Sequence, residues 1–156
     1  RRVVLELASS LELGQRASLG GEVSWRTVRG GPVSVGFAGL EVAATDDLAA
    51  VDRSRDLGTL ASATSAFASL RQLEAASAYA RGDLARAGAL LDTNERELAQ
   101  AIQAAPAAAA PLLRQVESLR DAKREFGRAP PKSAEGNAAA KAVFERDSAN
   151  MRKNTF

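Results

Sequence analysis

The sequence contains no cysteine and no histidine among its 156 residues. These absences exclude disulfide bonds, thiol nucleophiles, histidine general bases and zinc sites of the usual kind. Acid–base chemistry would fall to Asp, Glu, Lys or the single Tyr79, and none of them lies in a recognisable catalytic motif. We therefore expect a protein that is not an enzyme and that needs no cofactor and no metal ion.

Aromatic residues are also scarce, at 4%, and no run of apolar residues is long enough to span a membrane. Alanine, in contrast, accounts for 34 of the 156 residues. Because alanine has the highest helix propensity, this composition predicts closely packed helices with few large side chains in the core. Such helices could also form a homodimer that buries their apolar stripes.

The net charge is only +2, and its excess is local. Residues 1–60 carry 7 basic and 8 acidic groups, residues 61–127 carry 8 and 8, and residues 128–156 carry 6 and 3. A basic tail offers one route to nucleic acid or another anionic surface. The residues of that alternative are Arg128, Lys132, Lys141, Arg146, Arg152 and Lys153. Interspersed acidic groups and few aromatic residues argue against nucleic acid as a partner.

Strand patterns begin at the start of the sequence. Residues 3–7 are valine or leucine except for Glu6, and Leu11 and Leu13 follow before Gly14. This pattern predicts one strand, or two strands that are separated by a short break.

Two further segments alternate apolar and polar residues, at 22–28 and 33–42, and residues 30–32 between them are Gly-Gly-Pro. The alternation predicts two strands that are joined by a turn. In the second segment the alternation changes phase near Gly39, which predicts a β-bulge. Residues 1–45 are therefore predicted to form antiparallel strands that belong to a β-sandwich-like sheet.

From Asp46 onward the spacing of apolar residues changes to a helical period. A short helix near 47–53 is predicted to precede a long helix over 57–81. Gly82 should end that helix in the left-handed conformation, and Asp83 should cap a third helix that runs to about Ala104. This order predicts a helical hairpin whose turn lies at 82–83.

A further helix is predicted from Pro111 to Phe126, ending at Gly127. The predicted inward positions are Leu60, Ala63, Phe67, Leu70, Ala76 or Ser77 and Ala80, then Leu84, Ala87, Leu90, Leu91, Leu98 and Ile102, then Leu112, Val116, Leu119 and Phe126. Region 46–127 is thus a predicted bundle, 128–137 a polar linker, and 138–156 a C-terminal helix and tail. The fold class is α+β, with three to four main helices after the strands.

One segment, residues 52–56, has a carboxylate and a hydroxyl in the order Asp-x-Ser, which begins the Asp-x-Ser-x-Ser pattern of metal-dependent adhesion sites. The pattern fails at Asp56, where a second serine is required, and two arginines flank Ser54. We expect a capped helix end there instead of a metal site.

Several segments together resemble the C-terminal region of bacterial proteins that carry a von Willebrand factor type A (VWA) domain. They are Arg1–Leu7, Val23–Val28 with Gly31–Val33, Leu40–Asp47 with Val51 and Ser54–Asp56, and Ala80–Ala87 with Leu90 and Leu91. The resemblance spans nearly the whole chain. It implies an accessory β-sandwich and helical tail that support the adhesion domain, and no catalytic residues.

This resemblance implies that the chain is a piece of a longer protein and acts in scaffolding or protein interaction. The expected partner is a protein, such as the VWA-containing portion of the same protein. Its contact residues on the sheet would be Trp25 and Phe37, and those on the last helix would be Phe144 and Met151.

Overall fold

A computed structural model describes residues 7–28 and 30–153. Two strands come first, β1 (Arg16–Arg26) and β2 (Pro32–Ala43). Five helices follow: α1 (Leu48–Ser54), α2 (Leu57–Arg81), α3 (Leu84–Ala104), α4 (Ala110–Arg128) and α5 (Ala134–Lys153). The predicted α+β class is confirmed. The chain divides into two compact units at Arg55 and Asp56, a β unit that ends at Arg55 and a helical unit that begins at Asp56.

The sheet of the β unit is an antiparallel hairpin of two strands, and no third strand pairs with it among the described residues. Part of the predicted first strand, residues 3–6, lies outside the described part of the chain. The prediction that Leu11 and Leu13 continue a strand is wrong. A tight turn occupies this stretch, in which the Gln15 amide donates to the Glu12 carbonyl at 2.9 Å and Gly14 has φ +83°.

The predicted bulge in the second strand is confirmed. Leu19 pairs with Leu40 and Gly21 pairs with Phe37, so β2 has one residue more than β1 between these pairs. A turn joins the two strands as predicted: Gly30 has φ +105° and its amide donates to the Thr27 carbonyl at 3.0 Å. The predicted position, residues 30–32, is too late in the chain, because Pro32 already belongs to β2.

The helical hairpin forms as predicted. Asp56 caps α2 by accepting a hydrogen bond from the Thr59 amide at 2.9 Å. Gly82 ends the helix at φ +88°, and the Asp83 amide donates back to the Ala78 carbonyl at 2.9 Å. Asp83 then caps α3.

Two predicted helix ends are wrong. Gly127 does not stop α4, which continues to Arg128 because the first strong stop signal is Pro130: Ala129, before it, is extended at φ −124° and ψ 141°. The last helix begins at Ala134, not at Ala138. The Ser133 hydroxyl accepts a hydrogen bond from the Gly136 amide at 2.9 Å and so caps α5 at this earlier point.

The buried face of α2 differs from the predicted one. Leu60, Ala63 and Phe67 are only partly buried and Leu70 is exposed. The fully buried positions are Ala61, Ser65, Ala68, Ser69, Gln72, Ala75, Ala76, Ala78 and Tyr79. This helix contacts α3, α4 and α5, so it presents a wide face of small and polar side chains to three neighbours. One apolar stripe cannot mark such a face.

The other helices follow their predicted stripes more closely. Leu91 and Leu98 of α3, Leu112 and Leu119 of α4, and Val143 of α5 form the core with the alanines of α2. The exception is Leu84, which was predicted to face inward and is exposed. It occupies the first helical position of α3.

Candidate functional site

One face of the hairpin is apolar, and no other described helix or strand of the β unit packs on the hairpin. Val23 pairs with Val35, Trp25 with Val33 and Gly21 with Phe37. Residues that face each other across an antiparallel pair, and every second residue along it, point to the same side. We call the apolar residues Val23, Trp25, Val33, Val35 and Phe37 the hairpin face. Apart from the partly buried Val33, their exposed fractions lie between 41% and 55%.

Phe37 has a defined place on this face. A Cβ atom added to Gly21 would come within 2.6 Å of two atoms of the Phe37 ring, so the ring lies directly over Gly21. The glycine leaves the space that the ring fills. The two aromatic residues that the sequence singled out, Trp25 and Phe37, therefore lie on the same face.

The opposite side of the hairpin is polar. Glu22, Ser24 and Arg26 alternate with the apolar residues of β1, and the Ser34 hydroxyl donates a hydrogen bond to the Glu22 carboxylate.

A cavity of about 320 Å³ lies at the end of the hairpin that is farthest from the turn between β1 and β2. Its lining includes Leu7 and Leu11 from the segment before β1, and Leu19 and Val42 from the strands. None of the five residues of the hairpin face lines this cavity.

The two residues predicted as contacts on the last helix also lie together. Phe144 and Met151 are seven positions apart, which places them on one side of α5, and both are about half exposed. Val143, beside Phe144, is fully buried. The outer side of α5 therefore presents two large apolar side chains to solvent.

The predicted basic residues are dispersed along the chain. Lys141 pairs with Glu145 at 3.7 Å, and Arg146 pairs with Asp121 at 3.8 Å and donates to the Ser118 carbonyl at 3.2 Å. Arg128 lies in the last turn of α4 and Lys132 follows that helix. Arg152 and Lys153 belong to the last turn of α5. Ion pairing with carboxylates reduces what Lys141 and Arg146 can offer to an anion.

A buried polar network that the sequence analysis missed joins α2 to α4 and α5. The Gln72 amide donates to the Gln115 side-chain oxygen at 3.1 Å, and the Gln115 amide donates to Ser69 at 2.9 Å and to Ser65 at 3.3 Å. Asn150 of α5 donates to the same Ser69 hydroxyl at 2.9 Å. In the sequence, this network is visible only as polar residues at helical spacing on α2. The same pattern is typical of an exposed helix face.

Asp147 of α5 lies beside this network and is completely buried. Neither of its carboxylate oxygens has a hydrogen-bond partner of normal geometry in the described structure. Burial raises the pKa of Asp147 to about 6, while the charge of Arg146 and the nearby Ser69 hydroxyl oppose this rise. No other residue in the described part of the chain has its pKa moved so far from the ordinary value.

Tyr79 has a structural role. Its ring stacks on Phe126 with the centroids 4.1 Å apart, and its hydroxyl donates to the Ala129 carbonyl. Burial raises the pKa of Tyr79, so its hydroxyl is a weaker acid than a free tyrosine and stays protonated at neutral pH. These contacts hold the end of α2 against the end of α4.

An open cavity of about 280 Å³ adjoins Tyr79 and Phe126. At its rim the Lys123 ammonium donates to Asp92 at 2.8 Å and to Glu95 at 2.6 Å. Burial lowers the pKa of Lys123, but these two carboxylates outweigh it and leave the pKa raised. The hydrogen bond from Lys123 lowers the pKa of Asp92. Both groups are therefore held in their charged forms, as in an ordinary ion pair.

The described residues contain no cluster of three or more Asp or Glu side chains that could hold a metal ion. Within the same residues, no helix is both long enough and apolar enough to cross a membrane. No family model, no curated protein and no solved structure matches this chain. The resemblance to the C-terminal region of VWA-containing proteins therefore stays a prediction.

Proposed function

We propose that this chain is a non-enzymatic protein-interaction or scaffolding module, and that the hairpin face is its docking surface. The observation that carries the proposal is the exposure of Val23, Trp25, Val35 and Phe37 on one side of a hairpin whose other side is polar. A hairpin of two strands is marginally stable alone, and a second layer that covers its apolar side would stabilise it.

The partner we propose is a VWA-type domain, as the resemblance of the sequence implies. Trp25 and Phe37 have the chemistry of interface anchors, because large rigid side chains bury much area at a small cost in conformational entropy. No described strand pairs with the outer edges of β1 and β2, so a strand of the partner would also be able to extend the sheet there.

The single tryptophan provides a direct test. Labelling the chain with 5-fluorotryptophan gives one ¹⁹F resonance, which reports on the surroundings of Trp25. We expect addition of a purified VWA-type domain, taken from a bacterial protein that carries this C-terminal region, to shift or broaden that resonance in a saturable manner at high salt.

Two variants sharpen the result. Val35→Glu places a charge at the centre of the hairpin face and should abolish the shift, whereas Val28→Glu, at a fully exposed turn position, should leave it unchanged. Saturable binding of the VWA-type domain that leaves the Trp25 resonance unchanged would contradict docking through the hairpin face. Equal loss of the resonance shift in both variants would contradict it as well. No binding at all would remove the proposed partner.

A further inference from the structure

Helix α5 buries few large apolar side chains against the bundle. Its buried positions are Gly136, Ala140, Val143 and Asp147, so Val143 is the only large aliphatic side chain among them. Its other large apolar residues, Phe144 and Met151, point to solvent. Because burial of large apolar side chains is the main source of helix docking energy, the polar contacts of α5 weigh more than usual.

The central one of these polar positions is Asp147. Its neighbour Ser69 accepts hydrogen bonds from Gln115 and from Asn150, each at 2.9 Å, which leaves only the hydroxyl proton of Ser69 to be shared with a carboxylate. The Nε of Arg146 is buried without a partner, and its terminal nitrogens are directed to Asp121 and to the Ser118 carbonyl. An ionised Asp147 is therefore poorly compensated.

No charged group among the described residues bonds to the Asp147 carboxylate. Within that part of the chain, helix α5 packs on α2 and α4. On α2, Arg71 pairs with Glu97 of α3 and Glu74 is exposed. On α4, Arg114 lines a cavity of about 420 Å³, and Asp147 and Arg146 line the same cavity. The carboxylate oxygens themselves are sealed from solvent, so a molecule in that cavity does not reach them while α5 is docked.

We propose that α5 is a pH-responsive latch of the bundle, which docks more firmly when Asp147 carries a proton and opens more often when Asp147 is ionised. Opening would return the carboxylate to water and would expose the polar network of α2 and α4. The raised pKa, about 6 in the docked state against 3.8 for an ordinary aspartate, gives the same direction. Docking is thus strongest below pH 4 and weakens as the pH rises through 6.

Hydrogen exchange of the α5 amides measures this opening. Between pH 7.5 and pH 5 we expect their protection factors, corrected for intrinsic exchange and referred to α3 amides in the same sample, to increase about tenfold. Asp147→Asn keeps the side-chain shape and removes the charge, so its α5 protection should be high and independent of pH relative to α3.

Glu145→Gln is the matched control, because Glu145 lies on the same helix but is exposed and pairs only with Lys141. Its protection should follow the unmodified chain at both pH values. Far-UV circular dichroism of each variant establishes that the helices are formed. An unmodified chain with flat α5 protection would overturn the latch, and so would a pH dependence that survives in Asp147→Asn. Both outcomes leave the function of the hairpin face untouched, because that face belongs to the β unit.

Discussion

In the hairpin the largest apolar side chains are half exposed, whereas in the helical bundle side chains as polar as Gln72 and Asn94 are completely buried. Apolar side chains are usually buried and polar side chains usually exposed. The hairpin departs from the first part of this pattern, and the bundle departs from the second. In the bundle, paired polar groups fill the interior between alanines; in the hairpin, apolar groups remain on the surface. In the function proposed above, the bundle supplies stability and the hairpin supplies a surface that gains from being covered.

The polar interior of the bundle also sets its register. Gln115 of α4 bonds to Ser65, Ser69 and Gln72 of α2, which lie on consecutive turns of that helix. A slide of one helix along the other would leave these buried groups unpaired, at a cost of about 1–3 kcal/mol for each. Alanines alone would tolerate such a slide. The network compensates for the small number of large interlocking side chains.

The largest expected effect comes from the apolar centre of the bundle. Leu98→Ala should lower the free energy of unfolding of the helical unit by about 2–5 kcal/mol, because Leu98 is fully buried and its removal leaves a cavity. Leu113→Ala, at a half-exposed position of α4, is the control and should cost less than about 1 kcal/mol. Urea denaturation followed at 222 nm measures both. Similar losses would mean that the bundle has no rigid core and would remove the contrast with the hairpin.

Asp147→Asn should have the next largest effect, and its sign is stabilising. Because the pKa of the folded-state carboxyl is raised to about 6, ionisation costs stability as the pH rises through that value. The gain of the variant over the unmodified chain should therefore be about 2–3 kcal/mol larger at pH 7.5 than at pH 4. Denaturation at the two pH values measures this difference. A gain that does not depend on pH would show that the pKa of Asp147 is the same in the folded and unfolded states.

Local signals in the sequence predicted the connections of the fold well. Gly82 with Asp83, Asp56 before Leu57, and Gly39 in a strand of alternating residues each specify a backbone conformation through their own chemistry. These signals act over a few residues, so they need no knowledge of the tertiary structure. They gave the limits of α2 and α3 and the position of the bulge.

The packing could not be predicted in the same way. Leu60, Phe67 and Leu70 form the more hydrophobic stripe of α2, yet the helix buries Ser65, Ser69 and Gln72. Which face of α2 is buried depends on its polar partners, Gln115 of α4 and Asn150 of α5. Both partners are far from α2 in the sequence. The site residues show the same division. Alternation marked Trp25 and Phe37 as apolar positions of their own strands, and only the strand register puts them on one side. Asp147 has the same sequence pattern as any charged residue of a solvated helix.

Two glycine substitutions, one at the turn between α2 and α3 and one inside α3, should change the stability of the helical unit by smaller amounts and in opposite directions. Gly82→Ala should destabilise the helical unit by about 1 kcal/mol, because φ +88° is unfavourable for any residue with a Cβ atom. Gly88→Ala, inside α3, should stabilise it by about 0.5–1 kcal/mol, because its Cβ would meet no atom within 4 Å and alanine favours a helix. Thermal denaturation of the two variants measures the pair. A Gly82→Ala variant as stable as the unmodified chain would contradict the left-handed end of α2.

The smallest effect on the bundle should come from the hairpin face, and it tests the comparison most directly. Trp25 is the only tryptophan, so its fluorescence follows the β unit while the signal at 222 nm follows the helices. We expect the fluorescence transition at a lower urea concentration than the helical one, because a two-stranded hairpin is marginally stable.

Val35→Ser removes an apolar cross-strand pair with Val23 and should lower the stability of the hairpin by about 0.2–1 kcal/mol. The helical transition should stay within about 0.5 kcal/mol of its original value. Coincident transitions that Val35→Ser shifts together would mean that the two units unfold as one, and the division of roles between them would be lost.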